Sequence, residues 1–252
     1  MTFLPNPNYG KGIFRRRIRL TQADSTVSAE LEDNFHAFRL HLAHDGQRIT
    51  AIDSEAIRYP VSFCPQARDA LEAFVGISLS DASDRRVLRE VVQSGLQCTH
   101  LHDLSWLSAA MALRDDSQRV YDIEIPDAQD NRRQATLWRD GVEIFHWLLE
   151  DDAIVAPDDI AGNSPFQGFG RWASGAYQGD TLEAAYVMQI CLFVSLARRY
   201  DLVKMEGLPN ITIKIKPGTC FTYQAERIGQ GKRTAGMIRD FTDSAEQLLQ
   251  FR

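Results

Sequence analysis

From Ile13 to Ile52 the chain reads as a series of short alternating segments, and this period of two narrows its fold more than any other feature. Phe14, Arg16, Ile18 and Leu20 alternate with Arg15, Arg17 and Arg19. Similar alternation runs over 26–32 and 35–43, and Asp45-Gly46 supplies a turn before Arg48 to Ile52. These stretches predict a meander of antiparallel strands. Arg15-Arg16-Arg17 is the only dense basic run, and it reads as a solvated edge strand, since basic side chains blunt exposed sheet edges.

Pro60 and Ser62-Phe63-Cys64-Pro65 close the strand region. Ala67, Leu71, Phe74 and Val75 then recur at helical spacing up to Gly76, which puts Cys64 at the N-cap and Pro65 at the first helical position. A second helix is expected over Asp84 to Ser94, stopped by Gly95 in a left-handed conformation. Cys98 leads into a third, through about Arg114.

Residues 118–126 and 134–150, the latter around Asp140-Gly141, predict further antiparallel strands. Residues 151–179 read as a long loop whose aromatics, Phe166, Phe169, Trp172 and Tyr177, favour packing. Asp180 and Glu183 form a capping-box-like pair ahead of an apolar helix over 181–200. Residues 211–216, 221–224 and, more weakly, 233–241 read as strands. The expected fold is α+β: an antiparallel sheet with short helices and one long buried helix packed on it. Residues 1–11 form an irregular arm and residues 12–252 a single domain.

With 252 residues, 44% of them hydrophobic, the chain can bury a sizeable core. Its net charge of −6 argues against a nucleic-acid binder, which needs a basic face to neutralise phosphates. The four cysteines are irregularly spaced, and the first residues lack the charged and apolar regions of a signal peptide, so the cytoplasm is the expected location. The longest apolar stretch, Ala184 to Ala197, is shorter than a membrane span, and no membrane association is expected. Exposed sheet edges predict a homodimer.

The chemistry concentrates between residues 33 and 104. Cys64 and Cys98 stand at helix mouths, where unpaired N–H groups and the helix dipole favour a thiolate, and hence a nucleophile or metal ligand. Strand alternation puts His36 on the side of Phe38, Leu40 and Leu42. Helical spacing puts His100 in line with Leu104, Leu107 and Met111, with His102 on another part of the surface. A single inward histidine is usually a core residue. Two inward imidazoles and two helix-mouth thiols are the groups that surround a metal or form a nucleophile and base pair.

These residues also carry a resemblance. Asp33 and His36, Pro60 and Cys64, Leu71 and Gly76, and the run Cys98-Thr99-His100-Leu101 followed by Leu104 resemble the bacterial proteins grouped as domain of unknown function 2889, over about residues 12–115. The resemblance implies no activity. The stretch ahead of the histidine is shorter here than is usual in that family, and Asp33 reads equally as the carboxylate that orients His36 and as a turn residue.

The expected function is an enzyme of hydrolase or lyase type acting on a small, largely apolar or aromatic molecule, with a reactive group built from Asp33, His36, Cys64, Cys98 and His100. In a metal version His36, Cys64, Cys98 and His100 hold zinc or iron; in a metal-free version one thiol or imidazole does acid–base or nucleophilic work. The aromatics of 163–177 are expected to wall the pocket. Arg227, Arg233 and Arg239 read most simply as solvated surface charges; under the enzyme reading at least one of them could return to the pocket and bind an acidic substrate group. The alternatives are a non-catalytic metal- or cluster-binding scaffold and a purely structural role for the buried cysteines.

Overall fold

A computed structural model describes residues 4–210 and 217–251 of the chain. Its centre is one antiparallel sheet in the order β4-β3-β2-β1-β5-β6-β7-β8. The first meander comprises β1 (Ile13–Ala23), β2 (Thr26–Asp33), β3 (Ala37–His44) and β4 (Ile49–Arg58). The second comprises β5 (Gln118–Pro126), β6 (Arg132–Arg139), β7 (Val142–Glu150) and β8 (Ala153–Ala156). The fold is α+β, as the sequence predicts. At the β6–β7 hairpin Asp140 and Gly141 both take positive φ, 53° and 80°, the backbone that a two-residue turn between twisted strands requires.

Between the meanders lie a 3₁₀ helix (Cys64–Phe74), α1 (Leu79–Ser83), α2 (Arg85–Val91) and α3 (Thr99–Ala112); α4 (Phe169–Ala176) and α5 (Gly179–Ser195) follow the second, with α6 (Ala225–Ile228) near the C-terminus. α3 packs on β1, β2 and β3, and α5 on β5, β6 and β7. Both helices therefore lie over the same continuous sheet, each on its own meander. α3 is buried on every side: His102, Asp103 and Ser105 are as enclosed as Leu104 and Leu107, so His102 is not on a separate surface. By length and composition Gly179–Arg199 is apolar enough to cross a membrane, but half of that stretch is buried inside the protein, where α5 acts as a core helix.

Several local expectations are corrected. β1 is a central strand between β2 and β5, not an edge. Its arginines divide by side: Arg17 pairs with Asp122 at 2.6 Å and Arg19 with Glu30 on one face, while Arg16 is buried with Phe14 and Ile18 on the other. Phe63, not Cys64, caps the first helix, which is 3₁₀. The second predicted helix is α2 alone, shorter than expected and ending at Val91; it is capped by Asp84, which accepts the Arg86 N–H at 2.8 Å, and α1 precedes it. Gly95 has no positive φ. A Cβ there would lie 2.8 Å from the Gly218 carbonyl oxygen, so the residue serves close approach of the C-terminal segment.

The 151–179 stretch contains β8 and α4 and is not simply a loop. Glu183 is no capping residue. It is buried, receives hydrogen bonds from Arg114 at 2.8 Å and from Tyr121, and ties α5 to β5. Residues 221–223 form a 3₁₀ turn and 233–241 no strand; the strand expected at 211–216 lies outside the described residues.

The segment after residue 217 crosses back to the first meander. Arg58 and Arg239 both donate to the buried Glu32 carboxylate, at 3.1 and 3.0 Å, and the Leu249 N–H donates to it at 2.7 Å. This clasp holds the C-terminal segment beside the β2–β3 bend.

Candidate functional site

The bend from Asp33 to His36 is the core of the site. Asp33 ends β2, and its Oδ1 accepts the N–H groups of Phe35 and His36 at 2.7 and 2.8 Å, while its own N–H donates to the His36 carbonyl at 2.8 Å. An aspartate that bonds the backbone two and three residues on sets a tight turn. The same turn swings the His36 ring back over the carboxylate, with Nδ1 3.1 Å from Oδ1. Asp33 is thus both turn residue and ring partner. When Nδ1 carries the proton and donates it to Asp33, Nε2 keeps a free lone pair. The His36 side chain is 12% exposed and lines a cavity.

Beneath the dyad lies Arg16, on a central strand rather than the edge that its basic run predicts. Its guanidinium donates through Nε to Asp33 Oδ2 at 2.9 Å and through Nη2 to the same oxygen and to His100 Nε2, the latter at 3.1 Å. Because arginine has only donors, His100 Nε2 must accept, and the neutral ring carries its proton on Nδ1. The His36 and His100 rings face each other with centroids 4.0 Å apart. Burial opposes the Arg16 charge, yet its neighbours, the buried Cys191 of α5 and Asp33, more than offset it and raise the guanidinium pKa. The sequence signal for Arg16 was its register: a charged residue sharing a side with Phe14, Ile18 and Leu20 needs a buried partner.

Burial alone would raise the Asp33 pKa, but the Arg16 guanidinium and then the His36 ring outweigh it and hold the carboxyl well below the usual range. His100 moves the other way for a base. Burial first, then the neighbouring His36 ring and Arg16 charge, push its pKa well below that of a free histidine. It stays neutral in the fold while the unfolded chain takes up a proton below about pH 6.5, so the unfolded state binds more protons in that window. We expect stability to fall by roughly 1.4 kcal/mol per unit as pH drops below about 6.5, until the folded-state pKa is reached. Urea denaturation between about pH 7.5 and 5 checks the slope, which His100→Asn should reduce.

The cavity has a volume of about 500 Å³. The β2–β3 bend gives it Phe35 and His36; β3 gives Phe38; the two helix mouths give Cys64, Cys98 and His100; the end of α5 gives Phe193; and the C-terminal segment gives Cys220, Phe221, Tyr223 and Arg233. All four of His36, Cys64, Cys98 and His100 therefore line one cavity. The groups close enough to share an ion are a different set: Asp33, His36 and His100 bring one donor atom each within 4.8 Å of one another, and neither thiol belongs to this trio. The Phe166, Phe169, Trp172 and Tyr177 wall is not realised. Phe169 packs on Tyr186 and Trp172 on Trp147, on the other meander.

Cys98 caps α3, as its position predicts. The His100 and Leu101 N–H groups favour its thiolate, yet burial, followed by the proximity of Cys220, pushes the thiol up to about 12. Burial, then Cys98, drives Cys64 well above the ordinary thiol value as well. The helix-mouth effect loses to desolvation, and both sulfurs stand protonated at neutral pH.

No curated protein matches the chain. The dyad, Arg16 and both helix-mouth cysteines fall within one matched segment, whereas Cys191, Tyr223 and Arg233 lie beyond it. Residues 16–114 match the family described as Protein of unknown function (DUF2889), the family that the Cys98-Thr99-His100-Leu101 run resembles.

Proposed function

We propose that the cavity receives a small, largely apolar or aromatic molecule and that His36 moves a proton to or from it, making the protein an acid–base enzyme of hydrolase or lyase type. The observation that carries this reading is the Asp33–His36 contact on a cavity wall: Nδ1 is held by a buried carboxylate, and no hydrogen bond occupies Nε2 among the described residues. This is the arrangement in which an imidazole shuttles protons while a carboxylate fixes its tautomer and steadies the imidazolium. The aromatic and aliphatic lining recognises apolar substrate. Cys64 and Cys98 serve first as protonated wall groups; a thiol becomes the nucleophile only where a base takes its proton.

The second reading is a zinc or iron site, favoured by the proximity of Asp33, His36 and His100. Arg16 weighs against it. Its guanidinium bonds two of the three donor residues, so a cation would meet a fixed positive charge and compete for the His100 lone pair. Our reading also includes a cytoplasmic setting and a homodimer formed through β4 or β8, the two sheet edges.

The test is turnover of a panel of aromatic and aliphatic esters, thioesters and β-hydroxy acids, followed by NMR, with wild-type protein and His36→Asn. Turnover lost in the variant supports the proposal, and turnover retained sinks it. Equilibrium dialysis against zinc decides the alternative: stoichiometric binding abolished by His36→Ala and His100→Ala would replace the metal-free reading.

A further inference from the structure

We propose that the cavity binds the carboxylate of a small apolar or aromatic acid, with Arg233 and Tyr223 as its anchor. The inference rests on the reading that the cavity holds a small apolar molecule, and it names the class. Arg233 lines the cavity and is 8% exposed. One guanidinium nitrogen, Nη2, donates to the Tyr223 hydroxyl at 2.8 Å, while the buried Nε has no hydrogen-bond partner.

Its sequence neighbours do not share this condition. Arg227 pairs with Glu226 at 3.0 Å and Arg239 with Glu32 at 3.0 Å, whereas Arg233 has no carboxylate at ion-pair distance among the described residues. Among the described residues no Asp or Glu lines the cavity. A guanidinium taken out of water without an anion is costly, so a ligand that brings one gains from the cost already met in the fold.

The geometry suits a carboxylate. A planar guanidinium is the donor that two carboxylate oxygens match, and the one on Arg233 has N–H groups left after its bond to Tyr223. Tyr223, which accepts from Arg233, keeps its own hydroxyl proton to donate, and burial pushes its pKa up to about 12, so that proton is present at neutral pH. The backbone of Arg233 is fixed before any ligand arrives: its N–H donates to the Leu208 carbonyl at 3.0 Å, its carbonyl accepts from the Gly207 N–H at 2.9 Å, and it bridges to Val61. With a charged anchor and His36 on walls of the same apolar cavity, an acid bound at Arg233 presents its apolar body to the remaining lining.

The test compares benzoate, phenylacetate and hexanoate with their carboxamides, by calorimetry or ligand-observed NMR on the full chain. The variants are Arg233→Met, Arg233→Lys and Tyr223→Phe. At least one acid should bind wild-type protein roughly ten- to 100-fold more tightly than its amide, the range expected for charge-assisted hydrogen bonds. Arg233→Met should erase that preference, weakening the acid at least about tenfold more than the amide. If that variant does not fold, Arg233→Lys and Tyr223→Phe should each reduce the preference by about threefold or more.

Equal binding of acid and amide by wild-type protein, a preference that survives Arg233→Met, or no binding of any acid overturns the proposal. His36→Asn separates it from catalysis. Acid preference kept in that variant, with no turnover found for wild type, would sink the enzyme reading and leave the anchor standing. Amide binding without acid preference would sink the anchor alone.

Discussion

Asp33→Ala is expected to cost about 3–5 kcal/mol of folding stability, the range for removing one partner of a buried ion pair. The pair is enclosed, Arg16 being 2% and Asp33 0% exposed, so solvent does not screen the charge left behind. Two further losses add to it: the Phe35 and His36 N–H groups lose their acceptor, and the β2–β3 bend loses the turn that defines it. Asp33→Asn should cost less, because its amide oxygen still caps those N–H groups while the guanidinium stays unneutralised. The double variant Arg16→Met/Asp33→Asn should recover part of the loss, since it removes the orphaned cation. Urea midpoints at unchanged m-value measure all three, and Asp33→Ala lying within about 1 kcal/mol of wild type would refute the assignment.

The pH dependence of this term has a definite sign. The folded-state pKa of Asp33 is depressed, chiefly by Arg16 acting against burial, so the contribution is complete above the unfolded value near 3.9 and is lost as pH falls through the folded one. His100 acts at higher pH, below about 6.5, through a proton that the fold refuses. Acid should therefore weaken the protein in two stages, first at the imidazole and later at the carboxylate.

The strands of the first meander were legible because their period of two survives in the sequence, whereas α3, buried on every side, shows where it starts but not a face, which is why helical spacing misplaces His102. The side assigned to Phe14, Ile18 and Leu20 holds in the fold. What periodicity does not encode is which strands meet: β1 pairs with β5 across a sequence gap of about a hundred residues, which turns an apparent edge into the centre of the sheet. Once Arg16 is central, its place among apolar neighbours requires Asp33 and His100.

The thiols show a different limit. The helix-mouth argument is local and the position of Cys98 bears it out, but its protonation depends on burial under the C-terminal segment, which no local pattern reports. That segment, residues 217–251, holds only short helical turns. It therefore has no period to read, yet it supplies Phe221, Tyr223 and Arg233 to the cavity. The segment matched to the family carries the Asp33–His36 dyad, and the remainder of the chain completes the cavity in front of it.

The largest functional effect is expected at His36. Once a turned-over compound is found, His36→Asn should lower kcat by about 10²- to 10⁴-fold, the contribution of a positioned acid–base group, or roughly 3–5.5 kcal/mol of barrier. Asparagine fills similar space without a titratable nitrogen, so substrate binding, set mainly by the aromatic wall and Arg233, should change little and KM should stay within about threefold. Asp33→Asn provides the internal comparison. It leaves the imidazole in place but puts an N–H at the Oδ2 position, 3.3 Å from Nδ1, in place of an acceptor, which disfavours the proton on Nδ1 and should also depress kcat. The two losses should not add, because both variants disable one Asp33–His36 unit. If kcat of His36→Asn stays within about threefold of wild type, or the double variant falls by the product of the single losses, the dyad is not the proton-transfer group.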